Sequence, residues 1–296
     1  MYKMSRAYPR LVLVLAFVCF FARSAVAHPG SGIVADRQGQ IYFLDTGAGL
    51  WKIDAHGILT QISSPRFHWM TLDAGDAFRT VRLPSGSGEI TRVSATPALL
   101  LASDVPIAMG REGTLLYPSR GLNGGLRIIR LTPSGRSSDL ATLRSASAHG
   151  PLEYVNGLAT GPDGSVYCSE DDAIQRVTPR GQVSVVVKDL TLTGCASIPG
   201  NEAPYLRGLA VDAHDTLYVA ASGCGRVLKV TPDGRVSSVI QTQSPWSPTA
   251  VTLFGGDIYA LEYLHTAGED RRAWVPRVRK ISQNGTSTVI ATIDRR

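Results

Sequence analysis

The fold of this chain is decided by the stretch 155–187, which reads VNGLATGPDGSVYCSEDDAIQRVTPRGQVSVVV. It holds four short apolar runs, GLATG, SVYCS, IQRVT and VSVVV. The turn signals PDG, at 162–164, and PRG, at 179–181, separate the first two runs and the last two. Because proline presets φ and glycine permits positive φ, such tripeptides are typical of tight hairpin turns. The stretch therefore predicts four antiparallel strands connected up and down.

The same pattern returns at 207–240, which reads RGLAVDAHDTLYVAASGCGRVLKVTPDGRVSSVI. When the two copies are aligned, Gly157 falls on Gly208 and Tyr167 falls on Tyr218. One such sheet cannot cover its own apolar face, so the copies must stack against each other. The repeat predicts an all-β propeller in which each copy is one four-stranded antiparallel blade.

The number of blades follows from the turn between the third and fourth strands. Its glycines recur at these positions: Gly57, Gly135, Gly181, Gly234 and Gly285. The first interval is 78 residues and the others are 46 to 53, so the first interval has room for an additional blade. Within it, 89–93 resembles a third strand, and 98–102 is expected to be the strand after it. We predict six blades; five blades with an irregular insertion is the alternative.

The segment 1–27 is typical of a secretory signal peptide. Basic residues precede a 12-residue apolar core at 11–22, too short to span a bilayer comfortably, and AVA at 25–27 has the small-x-small cleavage pattern. We expect a single propeller domain at 28–296 in a secreted or periplasmic protein. After cleavage we expect no stable membrane anchor, and an uncleaved anchor is the alternative.

Composition restricts the classes of partner. Hydrophobic residues make up 44% of the chain, enough for one large core, and no polar tract or linker suggests a second domain. The signal segment carries four basic residues and no acidic ones, so its removal lowers the net charge from +6 to about +2. We therefore predict no nucleic-acid partner. The sequence also contains no nucleophile elbow, phosphate loop or dinucleotide fingerprint. We expect the protein to be a monomer.

The motifs NGLATGPDGSVY, at 156–167, and RVLKVTPDG, at 226–234, resemble those of NHL-repeat propellers. They also resemble the broader gluconolactonase and senescence-marker-protein superfamily, and the resemblance covers nearly the whole mature chain. It implies the six-bladed fold. Because such propellers include lactonases, lyases and pure binding modules, it leaves open whether the protein is an enzyme.

The resemblance places a functional site on one face of the propeller. In propellers of this kind the inner strands start at the top face, where the second-to-third-strand and blade-to-blade connections also lie. The long connections 189–205 and 263–276 map to this face, so we expect the site at the mouth of the central channel. The candidate ligand-binding residues are Asn156, Arg207, Glu170, Glu262, Asp45, Arg120, His68 and His265. For the acidic residues, hydrogen bonds to nearby loop amides are the structural alternative.

The resemblance also implies a test for a metal. Gluconolactonase-like enzymes hold a divalent cation with a glutamate, asparagines and an aspartate. Asn156 matches an asparagine, but Ser31 and Arg207 stand where the glutamate and the aspartate would be. A guanidinium is unfavourable beside a divalent cation. We therefore assign no metal ligands and no cofactor, with a divalent cation, or zinc held by His68 and His265, as alternatives.

Two functions follow from these observations. The first is a binding scaffold that takes an unknown small molecule or protein at its top-face mouth, because the metal ligands are replaced and no nucleophile–base pair is evident. The alternative is a diverged gluconolactonase-like hydrolase or lactonase. It would use Asn156 with Glu170 or Glu262 around a cation or an ordered water.

The cysteines predict one disulfide. Of the four, Cys19 leaves with the signal peptide and Cys168 lies in a second strand, where burial is expected. Cys195 and Cys224 lie in connections that the propeller geometry places together on the top face, so we predict a Cys195–Cys224 bond in this exported protein. Two free thiols are the alternative.

Overall fold

The structure, a computed structural model, describes residues 29–63, 67–83, 88–95, 98–121, 124–146, 152, 154–190, 192, 204–264 and 274–294. The predicted signal peptide lies outside these ranges. Within them, 24 strands form six antiparallel sheets of four strands each, so the prediction of six blades is confirmed. The described ranges contain no helix long and apolar enough to cross a membrane.

Each blade is built from one continuous piece of chain, in the order of the sequence. Blades 1 and 2 are β1 (Ile33–Ala35), β2 (Ile41–Asp45), β3 (Gly49–Ile53), β4 (Leu59–Ser63), β5 (Trp69–Leu72), β6 (Val81–Arg82), β7 (Glu89–Ala95) and β8 (Ala98–Ser103). Blades 3 and 4 are β9 (Ala108–Met109), β10 (Leu115–Arg120), β11 (Leu126–Leu131), β12 (Ser137–Thr142), β13 (Gly157–Thr160), β14 (Val166–Ser169), β15 (Ile174–Val177) and β16 (Val183–Val187). Blades 5 and 6 are β17 (Leu206–Val211), β18 (Leu217–Ala221), β19 (Arg226–Val230), β20 (Val236–Gln241), β21 (Trp246–Phe254), β22 (Asp257–Leu264), β23 (Pro276–Ile281) and β24 (Ser287–Thr292).

Blade 2 differs from the sequence prediction in the order of its strands. Its sheet runs β5-β8-β7-β6, whereas the strands of the other five blades follow the chain from the inside outward. The strand at 98–103 therefore pairs with the inner strand, and its expected outermost position was wrong. In the connection after β5 the Asp73 carboxylate accepts the backbone N–H of the buried Phe78 (2.8 Å). This longer loop takes the place of a tight hairpin and leads the chain to the outer edge.

The core lies between the blades, as the stacking argument predicted. Separate clusters of buried apolar side chains fill the successive interfaces of blades 2 to 6, and one larger cluster joins blade 1 to blades 2 and 6. Side chains also close the seam between the first and last blades. The Tyr263 hydroxyl donates to the Leu44 carbonyl, and the Thr249 hydroxyl donates to the Gly30 carbonyl, both at 2.7 Å. The ring is therefore closed without exchange of a strand between blades.

The repeated glycine of the inner strands has a steric cause. A Cβ at Gly208 would lie 2.5 Å from the Cβ and 2.9 Å from the Cα of Ala250, on the inner strand of the next blade. A Cβ at Gly157 would lie 2.7 Å from the backbone carbonyl oxygen of Arg207. Neighbouring inner strands can approach this closely only because no side chain stands between them. The glycine that aligned the two copies is therefore a packing requirement of the ring.

Candidate functional site

The inner strands surround a central cavity of about 320 Å³. Apolar side chains and threonines such as Thr71, Thr160 and Thr252 line it, and none of the described lining residues is charged. Charged groups that act on a ligand in this cavity must therefore come from its ends. We call the end where the inner strands begin the top mouth and the face where they end the bottom face.

Two side chains cross the top mouth to blades that are not their neighbours. From blade 2, the Trp69 indole N–H donates to the Asn156 carbonyl before blade 4 (3.2 Å). From blade 5, Arg207 Nη2 donates to the Pro29 carbonyl at the start of blade 1 (2.5 Å). The first crossing passes blade 3, whose inner strand β9 has two residues. Asn156 and Arg207 thus lie at the end of the propeller where the inner strands begin, and neither lines the described cavity.

Arg207 brings a buried charge to the mouth. Its side chain is almost fully buried, and burial lowers the pKa of the guanidinium. The guanidinium carbon also lies 5.8 Å from the centre of the Tyr205 ring. Because an arginine stays charged at every physiological pH, this group offers a fixed positive charge at the site.

Asn156 is held in place by two hydrogen bonds besides that of Trp69. Its Nδ2 donates to Asp171 Oδ1 (3.0 Å), and its backbone N–H donates to the Ser169 carbonyl (2.9 Å). Asp171 follows the second strand of the same blade. The Asn156 amide is therefore oriented by its own blade at the edge of the mouth.

His68 forms a pair that the sequence analysis missed. Its Nδ1 lies 3.1 Å from Asp104 Oδ1, its carbonyl accepts the backbone N–H of Ser31 (2.7 Å), and its ring lies 5.6 Å from the Trp69 ring. The imidazole is largely buried, whereas the Asp104 carboxylate is half-exposed. Asp104 directly follows β8, the second strand of blade 2, so it occupies the end-of-strand position of Asp45. The sequence predicted 98–102 as the outermost strand of blade 2, so Asp104 was not recognised as the residue at the end of a second strand.

Two acidic candidates support loops, as the structural alternative proposed. Asp45 is fully buried and its Oδ1 accepts the backbone N–H of Gly47 (2.8 Å). Glu170 is buried, accepts the backbone N–H of Ala146 (3.3 Å) and accepts a hydrogen bond from the Gln175 amide. Neither residue lines the described cavity.

Glu262 lies on β22 of blade 6, pairs with arginines on the next strand of the same blade, and does not line the described cavity. Arg277 Nε donates to its carboxylate at 2.5 Å and Arg279 Nε donates at 2.7 Å. The Arg277 guanidinium carbon also lies 3.9 Å from the centre of the Trp246 ring. The carboxylate is therefore engaged by two arginines, which makes it a structural ion-pair centre. The structure brings it together with neither Asn156 nor Arg207.

The other predicted residues divide into exposed and undescribed positions. Arg120 is exposed on the top face, with its guanidinium carbon 5.5 Å from the centre of the exposed Tyr154 ring. His265 and Cys195 lie outside the described residues, so the Cys195–Cys224 bond stays a prediction. Cys168 is a buried free thiol, as expected, and burial raises its pKa.

The residues at the mouth do not fit the divalent cation that the family resemblance implied. Ser31 is a weak cation ligand, and the positive charge of Arg207 occupies the position of the expected aspartate. Across the residues that the structure describes, no group of three or more His, Cys, Asp or Glu side chains could hold a metal ion. We derive no chemical step through a metal.

Comparisons with known proteins define the class. No family model matches the chain. A solved virginiamycin B lyase from Staphylococcus aureus has a TM-score of 0.54 at 16% identity, covering 90% of this chain and 85% of the lyase. A calcium-binding protein, regucalcin, from Agrobacterium tumefaciens has a TM-score of 0.55 at 16% identity, covering 78% of this chain and 81% of regucalcin. The chain is a six-bladed β-propeller with the fold of these proteins.

A curated protein is similar at the level of sequence. A 6-deoxy-6-sulfogluconolactonase from Pseudomonas putida is 29% identical over 161 residues, which are 54% of this chain and 51% of the lactonase. The match thus spans about half the length of the curated relative.

Proposed function

We propose that this protein is a diverged lactone-opening hydrolase whose site is the top mouth of the propeller. The observation that carries the proposal is the joint anchoring of two groups on the segment 29–31. Arg207 donates to the carbonyl of Pro29, and the backbone N–H of Ser31 donates to the carbonyl of His68. A histidine–carboxylate pair and a buried guanidinium are thus both attached to this short segment.

His68 is the proposed general base. A carboxylate on Nδ1 orients an imidazole and leaves Nε2 as the basic nitrogen, which is the role that Asp104 would have. Nε2, which is buried in the structure, would take a proton from a water enclosed beside it as the water oxygen attacks the carbonyl carbon of the lactone. The bond from that carbon to the ring oxygen then breaks, and the proton passes to the ring oxygen. The product is an open-chain hydroxy acid.

Arg207 is the proposed electrostatic group. A guanidinium in a buried site stabilises negative charge that develops on a carbonyl oxygen, or binds an anionic substituent of the substrate. The similar protein from Pseudomonas putida is, by its name, a lactonase for a sulfonated gluconolactone. The substrate class we propose is therefore a small sugar lactone that carries an anionic group.

The test is a lactonase assay on the purified protein. Glucono-δ-lactone and its 6-deoxy-6-sulfo analogue are added in a pH-stat, and spontaneous hydrolysis is subtracted. We expect His68→Ala to lower kcat about 10²- to 10⁴-fold, the usual contribution of a general base. We expect Arg207→Gln to lower kcat/KM more for the sulfonated lactone than for the neutral one.

A matched control is His56→Ala. His56 is an exposed histidine in the turn between β3 and β4, and its replacement should leave the rate unchanged. Turnover that survives His68→Ala, or that a chelator abolishes, would contradict the mechanism. Tight binding of the lactones without turnover would support the binding-scaffold function instead.

A further inference from the structure

The central cavity is more exposed at the bottom face than at the top mouth. In blade 5 the inner strand is buried at Gly208 and Leu209, whereas Ala210 and Val211 are partly exposed. Each of the other inner strands likewise ends on partly exposed residues, and Met109 of the two-residue strand β9 is an example. Because these side chains and their backbone line the cavity, solvent reaches it from the end opposite the proposed catalytic mouth.

A groove lies beside this opening, between blades 1 and 2. Its volume is about 450 Å³, and Phe254 at the end of blade 6 forms one wall. Ala35 and Leu72 line both the groove and the cavity. The two spaces therefore adjoin.

Two carboxylates in the groove are already engaged. Asp36 is buried and accepts four hydrogen bonds, from the backbone N–H groups of Gln38 and Gln40 and from the Gln40 and Tyr42 side chains. Asp73 is also buried and accepts a backbone N–H of its own loop at 2.8 Å. Both acids stabilise turns, and little of either is accessible to a ligand.

Arg37 supplies the accessible charge of the groove. It lines the groove, is exposed, and makes no side-chain hydrogen bond or ion pair within the part of the chain that the structure describes. A planar guanidinium with free donors at the rim of an apolar groove matches a carboxylate or sulfonate on an apolar body. The apolar body of such a ligand would contact Phe254, Leu72 and Leu99.

We propose that the groove and the adjoining end of the cavity form a second ligand site, distinct from the top mouth. The class of ligand is a small molecule with an aromatic or alkyl body and one anionic group. The apolar body lies along the groove towards the cavity, and the anionic group pairs with Arg37. The site does not depend on the proposed hydrolase activity.

The test uses two fluorescent probes of similar shape and different charge. 1-Anilinonaphthalene-8-sulfonate is anionic, and N-phenyl-1-naphthylamine is its neutral counterpart. Both should bind the folded protein with one saturable site. Arg37→Gln should weaken binding of the anionic probe about three- to fivefold, as expected for an exposed ion pair, and leave the neutral probe unchanged. Arg180→Gln, at an exposed turn of blade 4, is the matched control and should change neither.

A second set of variants blocks the apolar part. Leu99→Glu should lower the affinity for both probes more than tenfold. Since this variant can disturb folding, Ala74→Trp, at an exposed lining position, fills the groove from its rim and should have the same effect. Circular dichroism must show native stability in each case. Probe binding that is absent, or that neither Arg37→Gln nor Ala74→Trp weakens, overturns the proposal. Lactone hydrolysis should be unchanged in all these variants, so failure of the second site and failure of the catalytic mouth are separable.

Discussion

Glu262 is the buried charge whose loss we expect to destabilise the fold most. Its carboxylate is fully buried and receives hydrogen bonds from Arg277 and Arg279 at 2.5 and 2.7 Å. The change to test is Glu262→Gln, which keeps the shape of the side chain and removes the charge that both guanidiniums face. If Glu262 were a ligand-binding residue of the mouth, the same change would alter function and leave stability intact.

The expected magnitude follows from the burial of the three partners. Removing one member of a buried ion pair costs about 3–5 kcal/mol, because the remaining charge is left uncompensated. The Arg277 and Arg279 side chains are 13% and 18% exposed, so water can partly solvate them after the change. We therefore expect a loss at the lower end of this range, with the free energy of unfolding reduced by about 3 kcal/mol. This corresponds to a midpoint of thermal unfolding lowered by about 6–12 °C.

The assay is urea unfolding followed by tryptophan fluorescence, with Glu112→Gln as the control. Glu112 is an exposed acid in a turn of blade 3, and its replacement should change stability by less than about 0.5 kcal/mol. A triple variant with apolar residues of similar volume at 262, 277 and 279 should recover much of the loss, since it leaves no unpaired charge. A Glu262→Gln protein as stable as the wild type would refute the reasoning.

Three further predictions concern packing, pH and oxidation. Gly208→Ala should destabilise the protein by about 1–3 kcal/mol in urea unfolding, because the added methyl meets the backbone of the next inner strand; an unchanged midpoint would contradict this packing. Partial burial alone would raise the pKa of Asp163, but hydrogen bonds from Ser165 and from the Arg176 guanidinium lower it overall. Since the folded-state pKa is depressed, the stabilisation is present above the unfolded pKa and is lost as pH falls through the folded one. Asp163→Asn should therefore lower stability at neutral pH and not at the acid end of a pH series, and an equal loss at every pH would exclude this linkage. Non-reducing peptide mapping should recover Cys195 joined to Cys224, and separate alkylated peptides would show that the pairing is wrong.

Part of the proposed site could be predicted and part could not. The repeat placed Asn156 and Arg207 at the start of an inner strand; Asn156 does precede β13, whereas Arg207 is the second residue of β17. Asp104 was missed because its role depends on which strand pairs with β5, and that pairing joins segments about thirty residues apart. The arginine partners of Glu262 were missed for a similar reason. They lie on the next strand, after a long connection, and no short-range sequence spacing predicts the ion pairs.

The sequence by itself determined the repeat, the blade count and the strands of the regular copies. These depend on alternating apolar runs and on proline–glycine turns, which act over a few residues. Only the tertiary structure decided the strand order of blade 2, the engagement of Asp45, Glu170 and Glu262, and the open end of the cavity. Each of these is a contact between segments that are distant in the sequence, or an exposure that such contacts determine. Such features depend on how the closed ring brings its blades together, which no single repeat encodes.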